Sequence, residues 1–446
     1  MIQEVKILPK KDKTVSTQTA VKPPQTLMVG IDPHRATNMV CLLKSDGSEV
    51  GRCFRVGNNR PGMQQLSKRL NELAATGEFD RVQLMTEATN WYWLGMCYTL
   101  PPSSSLPLQV RAINPRLTAN FKKALSVEDH TDTSDSFVLA ERLRMNRDLP
   151  LPFDPDRLYL PLRLLTRQRY HLMRTLTREK AYAANIIYLK ISEYTAPEKQ
   201  PFSDVFGVTS QAVLTEFDSL EQILAMSVDD LAEWIHQRGK GRFADPVDTA
   251  RKLQTVAQDS FVLPPSFQRP IQIALGLSLQ QISALERQLK QLDTAITEQL
   301  ALLELPPTLS TVPGIGPVFA AGLIAEIGDV SRFDNDDDKV AKMAGFKWRR
   351  HQSADFEAED TPISKHFNRY LRYYFCEAAQ SVRIREPEYA AFYAKKYNEA
   401  TKHHHKRALV LTARKLVRLV VHLLATRQTY QPRSARSNKP ADQSNT

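Results

Sequence analysis

The chain has 446 residues, 42% of them hydrophobic and 24% charged, so it is long enough to bury more than one hydrophobic core. Its 60 lysines and arginines exceed its 49 aspartates and glutamates, and the net charge of +11 indicates a polyanionic partner, nucleic acid before an anionic membrane. No apolar run approaches the roughly 20 residues of a spanning helix, which argues against membrane insertion.

Residues 1–25 are polar and are expected to form a disordered arm, without the apolar segment of a signal peptide. The polar residues 431–446 are expected to form a disordered tail. No close pair of cysteines resembles a zinc or redox motif, which is typical of a protein in a reducing cytosol. The four scattered cysteines are Cys41, Cys53, Cys97 and Cys376.

Alternating apolar and polar residues predict an α/β domain between residues 26 and 160. Helices are expected to begin at Pro61 and at Pro115. Three consecutive strands, followed by helices that alternate with strands, are the element order of the RNase H-like fold. The predicted strands cover residues 26–31, 37–43, 49–56, 81–86 and 108–113.

Acidic residues follow two of these strands and also open a later helix. Asp32 follows the first strand, and Glu87 follows the fourth. Asp132 and Asp135 are three residues apart, so both project from one face of a helix. Sites in open α/β sheets form beyond the carboxyl ends of the strands. Any one of these acids alone would suggest a solvated charge or a helix cap, but all four in this order predict an oxygen-ligand site for divalent metal.

Four carboxylates packed together repel one another, which raises their pKa values until cations neutralise them. Two Mg²⁺ ions, for which Mn²⁺ could substitute, would neutralise the carboxylates in such a site. They would also activate one oxygen and stabilise the leaving oxygen of a phosphodiester. The N-terminal pattern therefore predicts metal-dependent phosphoryl transfer on nucleic acid.

The middle of the chain, residues 161–305, is expected to be helical. The basic run that starts at Leu162 is either a helix along a nucleic-acid backbone or an ordinary charged helix face. Residues 197–270 suggest a helical insert. An apolar heptad pattern follows, and it predicts either a dimer seam or a helix that packs back onto the Leu162 helix. The heptad residues are Ile282, Leu285, Leu289, Leu292, Ile296 and Leu303.

A third region, residues 306–430, opens after two consecutive prolines. Pro313-Gly314-Ile315-Gly316-Pro317, followed by an alanine-rich helix, is a helix-hairpin-helix signature. Gly314 and Gly316 would let backbone N–H groups approach a phosphate at a helix N-terminus. A tight turn between packed helices is the alternative.

The segment that follows is strongly basic and contains Ser353. A serine in such a positive field would be close to a bound phosphate, and the field would favour its alkoxide, although a serine in a basic loop is usually only a loop residue. Three adjacent histidines, 403–405, are more consistent with a solvated linker than with a metal site. The residues expected to contact nucleic acid here are Lys347, Arg349, Arg350, Lys365, Arg369 and Arg372.

Taken in this order, these motifs resemble a known family, the DEDD transposases of insertion sequences (the insertion-sequence one-ten family), with the related Piv invertases. The resemblance spans residues 28–427 and is weakest over residues 197–270. At the front it is carried by Val29-Gly30-Ile31-Asp32, Glu87 and Thr131-Asp132-Thr133-Ser134-Asp135-Ser136. At the back it is carried by Pro313-Gly314-Ile315-Gly316, Arg332-Phe333, Ala344-Gly345, Gln352-Ser353 and Ala413-Arg414-Lys415-Leu416.

The resemblance implies a RuvC-like domain in front, a helical and coiled-coil centre, and a mostly helical transposase domain behind. It implies that Asp32, Glu87, Asp132 and Asp135 are the DEDD metal ligands. It further implies that Ser353 is the nucleophile of the C-terminal domain and forms a covalent serine–DNA intermediate.

Members of this family act on double-stranded DNA, so the resemblance also implies the partners. A structured bridge RNA encoded beside the gene is expected to guide the enzyme, and subunits of a dimer or tetramer are expected to share the active site. Two positions, Trp348 and Ala354, depart from the proline and glycine usual in the family. The alternatives are a RuvC-like nuclease or junction resolvase in which water attacks, and a non-catalytic nucleic-acid binder.

Overall fold

The computed structural model describes residues 25–125, 131–146, 149–154, 159–348 and 367–432, together with the backbone of 352–353 and 356–357. The chain divides between residues 157 and 158 into two compact units, called here unit 1 and unit 2. The arm and the tail expected at the two ends of the chain lie outside the described residues, except for Gln25, Gln431 and Pro432.

Unit 1 is a mixed α/β domain built on a five-stranded sheet. The strands run in the order β3-β2-β1-β4-β5, with β1, β4 and β5 parallel and β2 antiparallel to both β1 and β3. Its elements are β1 (Thr26–Pro33), β2 (Thr37–Leu43), β3 (Phe54–Gly57), α1 (Arg60–Ala75), β4 (Arg81–Glu87), α2 (Leu94–Thr99), β5 (Leu108–Ile113), α3 (Pro115–Ala124) and α4 (Asp132–Met145).

The α/β class and the five strands that the sequence predicts are confirmed. The third strand is shorter than expected, because it begins at Phe54, and Glu49 makes only an isolated bridge to Leu43. Strand β1 has neighbours on both sides, and all its residues after Thr26 are buried. Since successive side chains point to opposite faces, both faces of β1 are buried, and a strand buried on both faces requires a continuous run of apolar residues.

The structure pairs two cysteines in unit 1, which the scattered spacing in the sequence did not indicate. Cys41 and Cys53 form a disulfide, with their Cα atoms 4.4 Å apart. The antiparallel register of β2 and β3 puts Val40 opposite Phe54, and the next step of that register puts the two cysteines side by side. No disulfide is predicted from the sequence, so this pair is a feature that sequence reasoning missed.

The described residues of unit 2 are helical apart from one short hairpin. In the same part of the chain and in unit 1, no described helix is long and apolar enough to cross a bilayer. Its elements are α5 (Tyr159–Lys190), α6 (Val208–Glu216), α7 (Leu220–Ala225), α8 (Val228–Arg238), α9 (Pro246–Asp259), α10 (Gln268–Ala301), α11 (Pro317–Ile327), α12 (Asp337–Ala344), β6 (Gln352–Ser353), β7 (Phe356–Glu357), α13 (Arg369–Arg385), α14 (Pro387–Asn398) and α15 (His404–Thr426).

The long helices α5 and α10 pack against each other, and four of the six heptad residues, Ile282, Leu285, Leu289 and Ile296, are buried. Ile282, Leu285 and Leu289 share one hydrophobic core with Ala183 and Ile187 of α5. The four helices predicted only as an insert, α6 to α9, close the same core. Of the two alternatives for the stripe, packing back onto the Leu162 helix is thus the one that the structure contains.

The C-terminal helices form a second core around α11, whose last eight residues are all buried. Glu326 of this helix is buried, and it accepts hydrogen bonds at 2.7 Å from Arg167 Nε and from Asn368 Nδ2. Nearby, the Tyr374 hydroxyl donates to the Thr166 carbonyl at 2.7 Å. Polar groups buried in an apolar core find their hydrogen-bond partners in only one arrangement of the helices. These hydrogen bonds therefore help to fix how α5, α11 and α13 pack.

Candidate metal centre

Asp32 and Glu87 lie on adjacent parallel strands at the same edge of the sheet. Asp32 is the penultimate residue of β1, and Glu87 is the last residue of β4. Ile31 is paired with Thr86, and so the two acids come one step later on both strands. Because successive side chains alternate between the two faces of a sheet, both acids project to the same face.

Helix α4 brings Asp132 and Asp135 to that face. Thr131 and Ser134 form a capping box, which starts the helix at Asp132 and puts both acids in its first turn. The positive end of the helix dipole favours carboxylates at this position. The α4 backbone packs directly on β1 at Gly30, so the first turn of the helix is held close to Asp32.

The closest group in the site consists of Asp32, His34 and Asp132, whose potential ligand atoms lie within 4.8 Å of one another. His34 Nε2 is 3.2 Å from Asp32 Oδ2 and 3.3 Å from Asp132 Oδ1. Arg55 donates from Nη2 to Asp132 Oδ2 at 3.1 Å. Carboxylate oxygens suit Mg²⁺ and Mn²⁺, and an added imidazole suits transition metals.

The pKa values of two of the acids show how closely the cluster is packed. Burial raises the pKa of Asp32; the neighbouring His34 opposes the rise, and the negative charges of Asp135 and Asp132 add to it. Burial also raises the pKa of Glu87, and Asp32 and Asp135 add to that rise. The charge of Asp135 therefore acts on both Asp32 and Glu87, and the charge of Asp132 acts on Asp32. Repulsion of this kind is the condition under which a cluster of acids accepts cations. The donor set fits a divalent metal ion.

A buried lysine completes the cluster. Lys122 of α3 donates from Nζ to Asp135 Oδ1 at 2.6 Å and to Ser134 Oγ at 3.2 Å. Its side chain is only 5% exposed. A positive charge is thus held inside the group of acids, against one of its four carboxylates.

Sequence reasoning missed His34, Arg55 and Lys122. His34 is two residues after Asp32, so the alternation of side chains along a strand was a signal that could have found it. Arg55 carries no such signal, because it depends on register: Asp32 pairs with Met39 of β2, and Met39 pairs with Arg55 of β3. Lys122 depends on how α3 packs against α4.

The predicted nucleophile, Ser353, lies in unit 2. It belongs to the two-residue strand β6 and pairs with Phe356 of β7 in a short hairpin. The side chain of Ser353 lies outside the described residues, as do Arg349, Arg350 and Lys365.

The other predicted contacts to nucleic acid in this basic segment are in the described part of unit 2. Lys347 and Arg369 are exposed. Arg372 instead donates to the Gly345 carbonyl at 2.9 Å, and its guanidinium lies 4.8 Å from the centre of the Phe367 ring. Lys347 and Arg369 are therefore accessible to a polyanion, although the Arg369 guanidinium also lies 5.5 Å from the centre of the Tyr370 ring, whereas Arg372 makes a hydrogen bond within the unit.

The two glycines of the predicted helix-hairpin-helix have different surroundings. Gly316 is the N-cap of α11, and the space beside it is open. Gly314 has a φ of +99°, and a Cβ there would lie 2.8 Å from the main chain of Val382 in α13. A short 3-10 turn, Leu309–Thr311, precedes this segment. Gly316 is open to a phosphate, Gly314 serves packing, and the motif itself stays a prediction.

Comparison with known proteins links both ends of the chain to transposases. A family model described as a transposase of the DEDD type matches residues 29–187, the segment that contains all four acids. A second model, described as the transposase IS116/IS110/IS902 family, matches residues 307–394, which include Ser353. Together the two matches cover more than half of the chain.

Similar proteins are encoded by two insertion elements. The IS116 uncharacterized 44.8 kDa protein of Streptomyces clavuligerus is 28% identical over 318 residues, which are 71% of this chain and 76% of that protein. The IS900 uncharacterized 42 kDa protein of Mycobacterium paratuberculosis is 22% identical over 420 residues, 92% of this chain and 98% of that protein. The chain belongs to the IS116/IS110/IS902 family of transposases.

Proposed function

We propose that this transposase cuts and rejoins DNA in a metal-dependent reaction in which Ser353 is the nucleophile. The observation that carries the proposal is the convergence of Asp32, Glu87, Asp132 and Asp135 at one edge of the sheet. Unit 1 is accordingly assigned as a RuvC-like catalytic domain, and unit 2 as the domain that supplies the serine.

The residues of unit 1 would hold the ion and fix its surroundings. Asp32 and Asp132 are close enough to share one ion, with His34 in reach of the same position. Glu87 and Asp135 add negative charge to the same cluster. When bound, Mg²⁺ or Mn²⁺ supplies positive charge that polarises the scissile phosphate and stabilises the leaving oxygen.

The serine hydroxyl would conserve the energy of the phosphodiester. Ser353 Oγ attacks phosphorus, a P–O bond to the serine forms, one P–O bond of the DNA breaks, and the departing DNA oxygen takes up a proton. A DNA hydroxyl that later attacks the phosphoserine restores the serine and joins a new strand. Strand exchange by this route requires no ATP, because each step trades one phosphodiester for another.

The partners follow from the charge of the chain and from the family. The net charge of +11, with Lys347 and Arg369 exposed in unit 2, supports a nucleic-acid partner. We assign double-stranded DNA as the substrate and a structured noncoding RNA, encoded beside the gene, as the guide. The proposal also includes a dimer or tetramer whose subunits share the active site.

The test is a search for a covalent protein–DNA adduct. The full chain is incubated with Mg²⁺, DNA that contains an element end, and RNA transcribed from the flanking sequence, and is then denatured in SDS. The wild type is expected to give an SDS-resistant adduct. Ser353→Ala should lose the adduct, whereas Ser331→Ala, which changes an exposed serine of the same unit, should retain it.

The acids have a matched control as well. Glu87→Gln is expected to abolish both cleavage and adduct, and Glu72→Gln, at an exposed position of α1, to leave both unchanged. Cleavage that persists in Ser353→Ala without an adduct would instead identify a nuclease in which water attacks. Binding without cleavage under every condition would identify a non-catalytic nucleic-acid binder.

A further inference from the structure

Lys122 is a cation buried among acids that the proposed function assigns to metal. Lysine is rarely buried without a partner, because its ammonium group loses its hydration. Here the partner is Asp135, whose Oδ1 lies 2.6 Å from Lys122 Nζ. Asp135 is itself about one-third exposed, so the lysine is the more deeply buried member of the pair.

The position of Lys122 on α3, and not the helix as a whole, accounts for its burial. The next residue, Lys123, is in the same last turn of α3, and it is exposed. Of these two lysines, Lys122 is the one that bonds to α4, where it also donates to Ser134 Oγ at 3.2 Å. Ser134 belongs to the capping box that starts α4. The ammonium group is therefore anchored to the turn of the helix that carries Asp132 and Asp135.

The charges of the cluster suggest what this cation does. Four carboxylates bring four negative charges, of which Lys122 offsets one at Asp135. Arg55 offsets another at Asp132 from a more exposed position. Two negative charges remain, and one divalent ion balances them. A second divalent ion would be repelled by a positive charge that cannot move away, because it is buried.

We propose that Lys122 is a built-in cation of the metal centre, which holds Asp135 in place and limits the DNA-free protein to one tightly bound divalent ion. A second ion then requires additional negative charge, which the phosphates of bound DNA supply. The inference rests on the proposed function, since it assumes that these acids bind metal. It assigns Lys122 a positioning and electrostatic role and no part in the transfer of phosphate.

The test is a Mn²⁺ titration of the full chain without DNA, in which EPR measures the free aqueous ion. The wild type is expected to bind one ion tightly. Lys122→Met removes the charge and Lys122→Gln removes it while keeping a hydrogen-bond donor, so both should bind a second ion about tenfold or more tightly than the wild type. Lys123→Met makes the same change of net charge on the same helix and should behave as the wild type.

The inference has clear contrary outcomes. Two tight ions in the wild type would overturn it and leave the metal centre intact. If Lys122→Gln bound Mn²⁺ as the wild type does and only Lys122→Met differed, Lys122 would act as a hydrogen-bond donor and not through its charge. If both variants bound Mn²⁺ as the wild type does, Lys122 would have no role in metal binding. Circular dichroism establishes that each variant is folded. No Mn²⁺ binding by the wild type, or binding that survives Asp32→Asn, would overturn the proposed metal centre and the inference together.

Discussion

The main chain of Ser136 occupies the place where a side chain on Gly30 would begin. A Cβ built on Gly30 would overlap the Ser136 carbonyl oxygen and lie 2.5 Å from the main-chain nitrogen of Ala140. Helix α4 therefore rests on β1 backbone against backbone. The contact sets the distance between Asp32, two residues after Gly30, and the first turn of α4.

Gly30→Ala is expected to lower the free energy of unfolding of unit 1 by about 3 kcal/mol, because two main chains would have to separate. The first turn of α4 would move with the helix, so Mn²⁺ binding should weaken as well. Urea unfolding and the EPR titration measure the two effects.

Gly95→Ala is the matched control in the same unit. Gly95 lies in α2, and no atom is within 4 Å of a Cβ built there. Gly95→Ala should raise the free energy of unfolding by up to about 1 kcal/mol, because alanine is a better helix former than glycine. If both variants lost stability equally, the close contact at Gly30 would have no special importance.

The sequence predicted the sheet and the four acids because these depend on local patterns. Alternation of apolar residues marks a strand, and Asp32 and Glu87 come at strand ends that a parallel sheet places side by side. Arg55 and Lys122 could not be found in this way. The first depends on the register across β2, and the second on the packing of α3 against α4.

The heptad stripe shows a different limit of sequence reasoning. An apolar residue at every a and d position requires a partner helix but does not say which chain supplies it. The same Leu289 would be buried in a dimer seam or against α5. In the structure it is buried against helices of its own unit, in the core that α6 to α9 complete.

Leu289→Ala is therefore expected to destabilise the fold, at a cost of 2–5 kcal/mol, roughly what other buried leucines show. Leu289 is 7% exposed in the core of unit 2, whereas Leu277, on the same helix, is 63% exposed. Leu277→Ala should change the free energy of unfolding by less than about 0.5 kcal/mol. Denaturant unfolding and light scattering on both variants decide the matter. Loss of an oligomer with unchanged unfolding of the monomer would favour a seam.

Glu326 gives unit 2 a predictable dependence on pH. Burial alone would raise its pKa, but the hydrogen bond from Arg167 and the positive charges of Arg163 and Arg167 hold the pKa below its ordinary value of 4.5. A group with a lowered pKa contributes stability that is present above the unfolded pKa and is lost as the pH falls through the folded pKa. The stabilising effect of Glu326 should therefore begin to decline near pH 4.5 and be lost as the pH falls through the lower pKa of the folded state.

Glu326→Gln tests this dependence. At neutral pH it should cost about 3 kcal/mol, since it leaves Arg167 without its carboxylate. The difference from the wild type should shrink as the pH is lowered. Glu298→Gln, at an exposed position of α10, should follow the wild-type curve throughout. The measurement is the free energy of unfolding in urea between pH 7 and pH 3. If Glu326→Gln and Glu298→Gln showed the same dependence on pH, the role assigned to Glu326 would be contradicted.

The disulfide between Cys41 and Cys53 predicts how many thiols can be alkylated. After exposure to oxidised glutathione, the denatured chain should expose the two free thiols, those of Cys97 and Cys376. Reduction should release the other pair. Cys41→Ser should show one additional thiol without reduction, and mass spectrometry counts the adducts.

Reduction is expected to lower the free energy of unfolding by about 3 kcal/mol, because the unfolded chain gains conformational entropy when the crosslink is removed. All four thiols reacting before reduction would contradict the pairing.

The surplus of basic residues predicts a steep dependence of DNA binding on salt. Each phosphate neutralised by a lysine or arginine releases counterions, so an interface with six to ten such contacts would lose about 10³–10⁵ in affinity between 50 and 200 mM salt. Lys347→Gln should weaken binding and reduce the slope of log K against log salt by about one.

The charge of Lys68 is already shared with Glu72 on α1, so Lys68→Gln should leave the slope unchanged. Fluorescence anisotropy over a salt series measures both slopes. A nearly flat dependence in the wild type would mean that the positive charge of the chain does not form the DNA-binding surface.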